Sequence, residues 1–118
     1  MVEKASVILK SATERQCKGA CTIGWDNNTE HAKEYCALGI LGCKTKRMTT
    51  NGILRNSQDR FLEEVFGISP YKYLKCPVYD ADICELVEDQ IAQTIVHLND
   101  IHEWTFKEIG QWLEGLGY

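Results

Sequence analysis

The chain has 118 residues, 44% hydrophobic and 25% charged, with a net charge of −4. That length and balance fit one domain that can bury its own core, and they exclude a low-complexity or repeat architecture. Val7-Ile8-Leu9 is too short for the core of a signal peptide, and no later run approaches a membrane span. The expected setting is therefore cytoplasmic, with six cysteines held reduced.

The charge is divided unevenly along the chain. Residues 1–75 hold 12 Lys and Arg against 8 Asp and Glu, whereas residues 76–118 hold 1 against 9. An acidic end of this kind favours contact with a foreign basic protein surface or with the basic segment Lys44-Thr45-Lys46-Arg47 of the same molecule or of another copy. Nucleic acid is a poor match, because the cations are few and form no stripe.

The first predicted element is a helix over residues 2–16, with Val2, Ala5, Ile8, Leu9 and Ala12 on one face. Gly19, Gly24 and Asp26-Asn27-Asn28 then predict a loop over residues 17–28, closed onto the core by Trp25. A central helix follows over about residues 30–43. Its Ala32, Cys36, Gly39 and Cys43 share a narrow arc, a seam of small side chains suited to close approach by a second helix. Thr49-Thr50-Asn51-Gly52 is a turn signal. Ser57 and Gly67 bracket a third helix carrying Phe61, Leu62, Val65 and Phe66.

Residues 69–77 contain both prolines and read as a rigid connection. Asp82 and Glu85 have capping-box spacing, which predicts a long fourth helix with Ile83, Leu86, Val87, Ile91, Ile95 and Leu98 on its apolar side. Thr105 and Glu108 repeat the pattern and open a fifth helix bearing Phe106, Ile109, Trp112, Leu113 and Leu116. The expected fold class is all-α: one compact bundle of about five helices over residues 1–118.

Chemistry-bearing residues are sparse. Cys17 and Cys21 have three intervening residues, the only cysteine pair within the spacing usual for structural zinc, and His31 is available to join them. Cys36-Cys43 and Cys76-Cys84, with six and seven between, fall outside it. Packing as small hydrophobes is the favoured account of the cysteines, and neither a metal nor another cofactor is expected. Cys36 as a nucleophile needs a base, for which His31, His97 and His102 are available. A hydrogen-bonded core-edge residue is the simpler reading of His97, and a small polar site shared with Gln90 and Asp100 is the alternative. No phosphate loop, serine elbow, His-Glu-x-x-His or calcium-loop motif is present.

Three segments carry a resemblance: Arg15-Gln16-Cys17-Lys18-Gly19, Tyr35-Cys36-Ala37-Leu38-Gly39, and His97-Leu98-Asn99-Asp100 followed by Thr105 to Leu113. In that order they resemble a family of small bacterial and phage proteins of no assigned activity. Its members have an aromatic-Cys-x-x-Gly-Ala helix and a Trp-Asn-Asp segment before a Thr-initiated helix. The chain departs from the pattern at Arg15-Gln16, where members have Gly-Trp, at Leu98, where they have Trp, and at Ile40, where they have Ala. His97 has no counterpart, and residues 44–80 are unmatched. Cys36, Gly39, Asn99 and Asp100 carry over, and the resemblance implies a phage or mobile-element setting.

The resulting expectation is a non-enzymatic protein acting through protein contact, its surface comprising Glu85, Glu88, Asp89, Lys44, Lys46 and Arg47. The alternatives are a Cys36-dependent hydrolase or transferase and a structural zinc-binding helical domain.

Overall fold

The computed structural model describes residues 3–118. Its elements are α1 (Ala5–Ser11), β1 (Thr22–Ile23), β2 (Glu34–Tyr35), α2 (Ala37–Lys44), α3 (Gln58–Phe66), β3 (Tyr73–Lys75), β4 (Glu88–Gln90), α4 (Ile91–Asp100) and α5 (Phe106–Gly115). Two antiparallel two-stranded sheets, β1-β2 and β3-β4, accompany the five helices, so the fold is α+β and the all-α expectation is corrected. Val2, assigned to the first helix, lies outside the described residues.

The helices enclose a core whose largest fully buried side chains include Leu9, Leu38, Ile40, Leu62, Ile95 and Ile109. α1 lies close against α5, because a Cβ on Gly110 would stand 3.0 Å from the Ser6 carbonyl oxygen and the Lys10 amide nitrogen. α4 touches α2, α3 and α5 and is the element around which the others gather. Its buried positions, Ile91, Ala92, Thr94, Ile95, Leu98 and Asn99, follow the helical period.

Where local signals were strong, helix ends fall as expected. Ser57 accepts a hydrogen bond from the Arg60 N–H, and Gly67 ends α3 at φ 70°. Thr105 and Glu108 form a complete capping box on α5.

Three predicted helices are shorter than expected, each because a strand takes its residues. α1 ends at Ser11, since Arg15 and Cys17 exchange backbone bonds with Tyr35 at 2.8 Å on either side of a parallel bridge from Gln16. Tyr35 also pairs with Thr22, so it has an extended neighbour on either side and residues 34–35 are strand. The central helix therefore runs over Ala37–Lys44, with Cys36 extended at φ −83°, ψ 175° as its N-cap. Ala32 and Cys36 lie outside it, and Gly39 admits backbone from a neighbouring strand, not a second helix.

The fourth helix starts at Ile91, not near Asp82. A helix through both Cys84 and His97 would separate them by about 20 Å along its axis. Cys84 Sγ instead lies 3.2 Å from His97 Nε2, which requires residues 84–90 to fold back. β4 makes that return by pairing with β3 in the register Tyr73↔Gln90, Leu74↔Asp89 and Lys75↔Glu88.

Candidate functional site

The fold-back assembles four side chains that are distant in sequence. Cys76 follows β3, Cys84 sits in the connection to β4, His97 lies in the last turn of α4, and His102 is in the turn after it. One ligand atom from each lies within 4.8 Å of every other. His97 Nε2 and His102 Nε2 are 3.0 Å apart. Cys84 Sγ is 3.2 and 3.4 Å from the two histidine nitrogens, and Cys76 Sγ is 3.3 Å from His102.

Those separations fit a tetrahedron. Zinc bonds of about 2.3 Å to sulfur and 2.05 Å to nitrogen place ligand atoms about 3.4 Å apart for N–N, 3.6 Å for S–N and 3.8 Å for S–S. Four of the six observed edges are shorter by a few tenths of an ångström, and the two from Cys76 to Cys84 and to His97 lie within 4.8 Å. Two sulfurs and two imidazoles are the donor set that selects zinc among the common divalent ions. Four protein donors leave no open position, the mark of a structural site.

The surroundings support each ligand. The Asp80 amide nitrogen lies 3.4 Å from Cys84 Sγ, and the Val78 N–H donates to Cys76, so both sulfurs receive backbone donors that suit a thiolate. Burial, reinforced by the facing His102, pushes His97 below the usual imidazole range, towards the neutral form that offers a lone pair. Burial raises the Cys76 thiol above its ordinary value. A proton must therefore leave as a metal enters.

The expected zinc candidates are not assembled. Cys17 and Cys21 are close enough to interact, but the His31 ring faces Cys43, with 4.0 Å between Nδ1 and Sγ. Cys76, Cys84, His97 and His102 form the one group of three or more potential ligands found among the described residues.

Nor does Cys36 meet His97. Cys36 is buried, and its sulfur accepts from the Gly39 N–H at 3.3 Å. Its thiol is pushed well above its ordinary value, chiefly by the neighbouring Cys21 sulfur and by burial. Asp100 does border the same cleft, of about 260 Å³, as Cys36 and Cys21.

Asn99 ties this region together. It is 1% exposed, and its Oδ1 accepts from the Ala37 N–H at 3.0 Å and from Gln16 Nε2 at 2.7 Å. Its Nδ2 donates to the Cys17 carbonyl and to Asp100, each at 2.8 Å. Removing the amide strands the buried partners that only it satisfies. Asn99→Ala is expected to lose on the order of 3 kcal/mol in urea unfolding, and a loss below about 1 kcal/mol would contradict this role.

The expected contact residues are dispersed. Glu85, Glu88 and Asp89 line a cleft with Ile83, Leu86 and Val87 beside the Cys/His cluster. Lys44 pairs with Glu14 at 2.5 Å, leaving Lys46 and Arg47 as the rest of the basic segment.

No family model matches the chain, and no curated protein or solved structure shows significant similarity to it. Among the described residues, no helix is long and apolar enough to cross a membrane.

Proposed function

We propose that this protein is a small zinc-binding α+β domain in which Cys76, Cys84, His97 and His102 hold one structural zinc ion. The observation carrying the reading is where burial stops. Between residues 69 and 90 only Cys76 and Cys84 are buried. A 22-residue excursion whose one further apolar contact with the core is the half-buried Leu74 has little burial to offset the entropy of ordering it. Metal bonds to two histidines at the end of α4 supply an anchor. The zinc has a positional role, with no substrate reacting at it.

Elemental analysis of protein purified without affinity metals tests this. One zinc per chain is expected, replaceable by cobalt with the strong visible absorption of a tetrahedral thiolate site. Binding near pH 7 should release protons from the cysteines. A chain that neither retains zinc nor takes up cobalt stoichiometrically would end the proposal.

A second reading concerns what the excursion displays. Ile83, Leu86 and Val87 are 52%, 60% and 50% exposed, and they lie among Glu85, Glu88 and Asp89. An apolar strip edged with carboxylates suits a basic protein surface, including Lys46 and Arg47 of a second copy. Sedimentation should then give association that weakens with salt. A monomer at every concentration and ionic strength would exclude the self-associating version.

A further inference from the structure

Outside the zinc cluster, the thiols of Cys21 and Cys36 occupy a position that packing alone does not explain. β1 and β2 pair Thr22 with Tyr35 and Ile23 with Glu34, so the same register sets Cys21 directly opposite Cys36. The Cys36 N–H donates to the Cys21 carbonyl at 2.9 Å, which continues the ladder to that pair. Directly opposed residues in an antiparallel pair project to the same face, with Cα atoms about 4.5–5.5 Å apart. That lies inside the roughly 4.4–6.8 Å range over which two cysteines can be bridged. The two thiols lie near enough to influence each other's ionisation.

The two sulfurs are unequal. Cys36 is buried beneath the first turn of α2, whereas Cys21 is partly exposed. Both line the cleft of about 260 Å³, which also includes Gln58, Val96, Asn99 and Asp100. A small reagent entering it meets Cys21 with Cys36 behind. We infer that Cys21 and Cys36 form a reversible redox pair, Cys21 attacking a low-molecular-weight disulfide and Cys36 resolving the adduct into a cross-strand Cys21–Cys36 disulfide.

The chemistry balances. The Cys21 thiolate bonds to one sulfur of the small disulfide, whose S–S bond breaks and releases one thiolate. Cys36 gives its proton to that thiolate and attacks the Cys21 sulfur, displacing the second thiolate, which takes up a solvent proton. The protein dithiol is oxidised by two electrons, and the small disulfide is reduced to two thiols. Hydrogen bonds from the Cys36 thiol and the Leu54 N–H outweigh the effect of burial and lower Cys21 to about 7. The attacking sulfur is thus substantially ionised near neutrality, and its partner holds the proton.

The test equilibrates zinc-loaded wild-type protein with reduced and oxidised glutathione at several ratios. Acid quenching, alkylation and peptide mapping then locate the bonds, with zinc content measured in parallel. The expected product is one intramolecular Cys21–Cys36 disulfide, reversed by reduced glutathione. Cys36→Ser keeps an N-cap acceptor for α2 and should convert the product into a persistent glutathione adduct on Cys21. In the reduced protein, alkylation of Cys21 should reach half its maximal rate near pH 7. At that pH it should run ~3-fold faster than an ordinary exposed cysteine, after allowing for the lower nucleophilicity of a more acidic thiol. Recovery of both thiols unmodified, a stable Cys21 adduct in the wild type, or a Cys17–Cys21 bond instead would each overturn the inference. Zinc content separates these failures from failure of the metal site.

Discussion

Cys84→Ser is expected to abolish stoichiometric zinc binding and to lower the unfolding midpoint by about 10–15 °C in zinc-containing buffer. Cys84 lies within 3.4 Å of both histidine nitrogens, at 3.2 and 3.4 Å, and its loss leaves three donors and no closed tetrahedron. A ligand present at about 1,000 times its dissociation constant stabilises the folded state by about 4 kcal/mol. For a domain of this size, each kcal/mol moves the midpoint by a few degrees. Chelated wild type should therefore unfold at nearly the temperature of the variant, because both lack the same bonds.

The loss should also be local. Most of the core of α1, α2, α4 and α5 is built from residues other than the four ligands, so amide protection there should survive while residues 73–90 exchange freely and are cut by protease. Equal midpoints for zinc-loaded wild type and Cys84→Ser, with equal protection of residues 73–90, would remove the metal from any structural role.

The histidine half of this centre was legible in the sequence. His97 and His102 have four residues between them, and twelve separate Cys84 from His97, both within the spacing of a two-cysteine, two-histidine finger. Cys76 and Cys84 hid it, because seven intervening residues exceed the usual two to four. The apolar pattern misled as well. Ile83, Leu86 and Val87 continue the period of Ile91, Ile95 and Leu98, yet periodicity carries no record of a fold-back imposed by ligand geometry.

The central helix failed for a related reason. Cys36 reads as one more small apolar residue but acts as an N-cap, a role whose usual signal is Ser, Thr, Asp or Asn. Pairings only two residues long, such as β1 with β2, are too short for alternation to register. The ends of α3 and α5 were legible because Ser57, Gly67, Thr105 and Glu108 act through bonds local in sequence.

Gly39→Ala should destabilise the protein by more than about 3 kcal/mol, the reverse of what helix propensity dictates. In an exposed helix interior, replacing glycine with alanine gains up to about 1 kcal/mol. At Gly39 a Cβ would stand 1.8 Å from the Cys21 carbonyl oxygen and 2.8 Å from its carbon. Those atoms are backbone, and that oxygen accepts the Cys36 N–H, so no side-chain rotation relieves the clash. The strand and α2 must move apart by more than an ångström, which breaks the ladder at the bond joining Cys21 to Cys36. Overpacking a dense interior typically costs about 1–3 kcal/mol, and a displaced buried hydrogen bond adds to it.

Gly115→Ala is the matched control. It also lies in a helix, with nothing within 4 Å of where its Cβ would stand and no positive φ, so it should be neutral or slightly stabilising. Urea unfolding of both variants separates steric exclusion from propensity. If the Gly39 variant matched the Gly115 variant, Cys21 would not lie against α2, and the opposed thiols would lose their geometric basis.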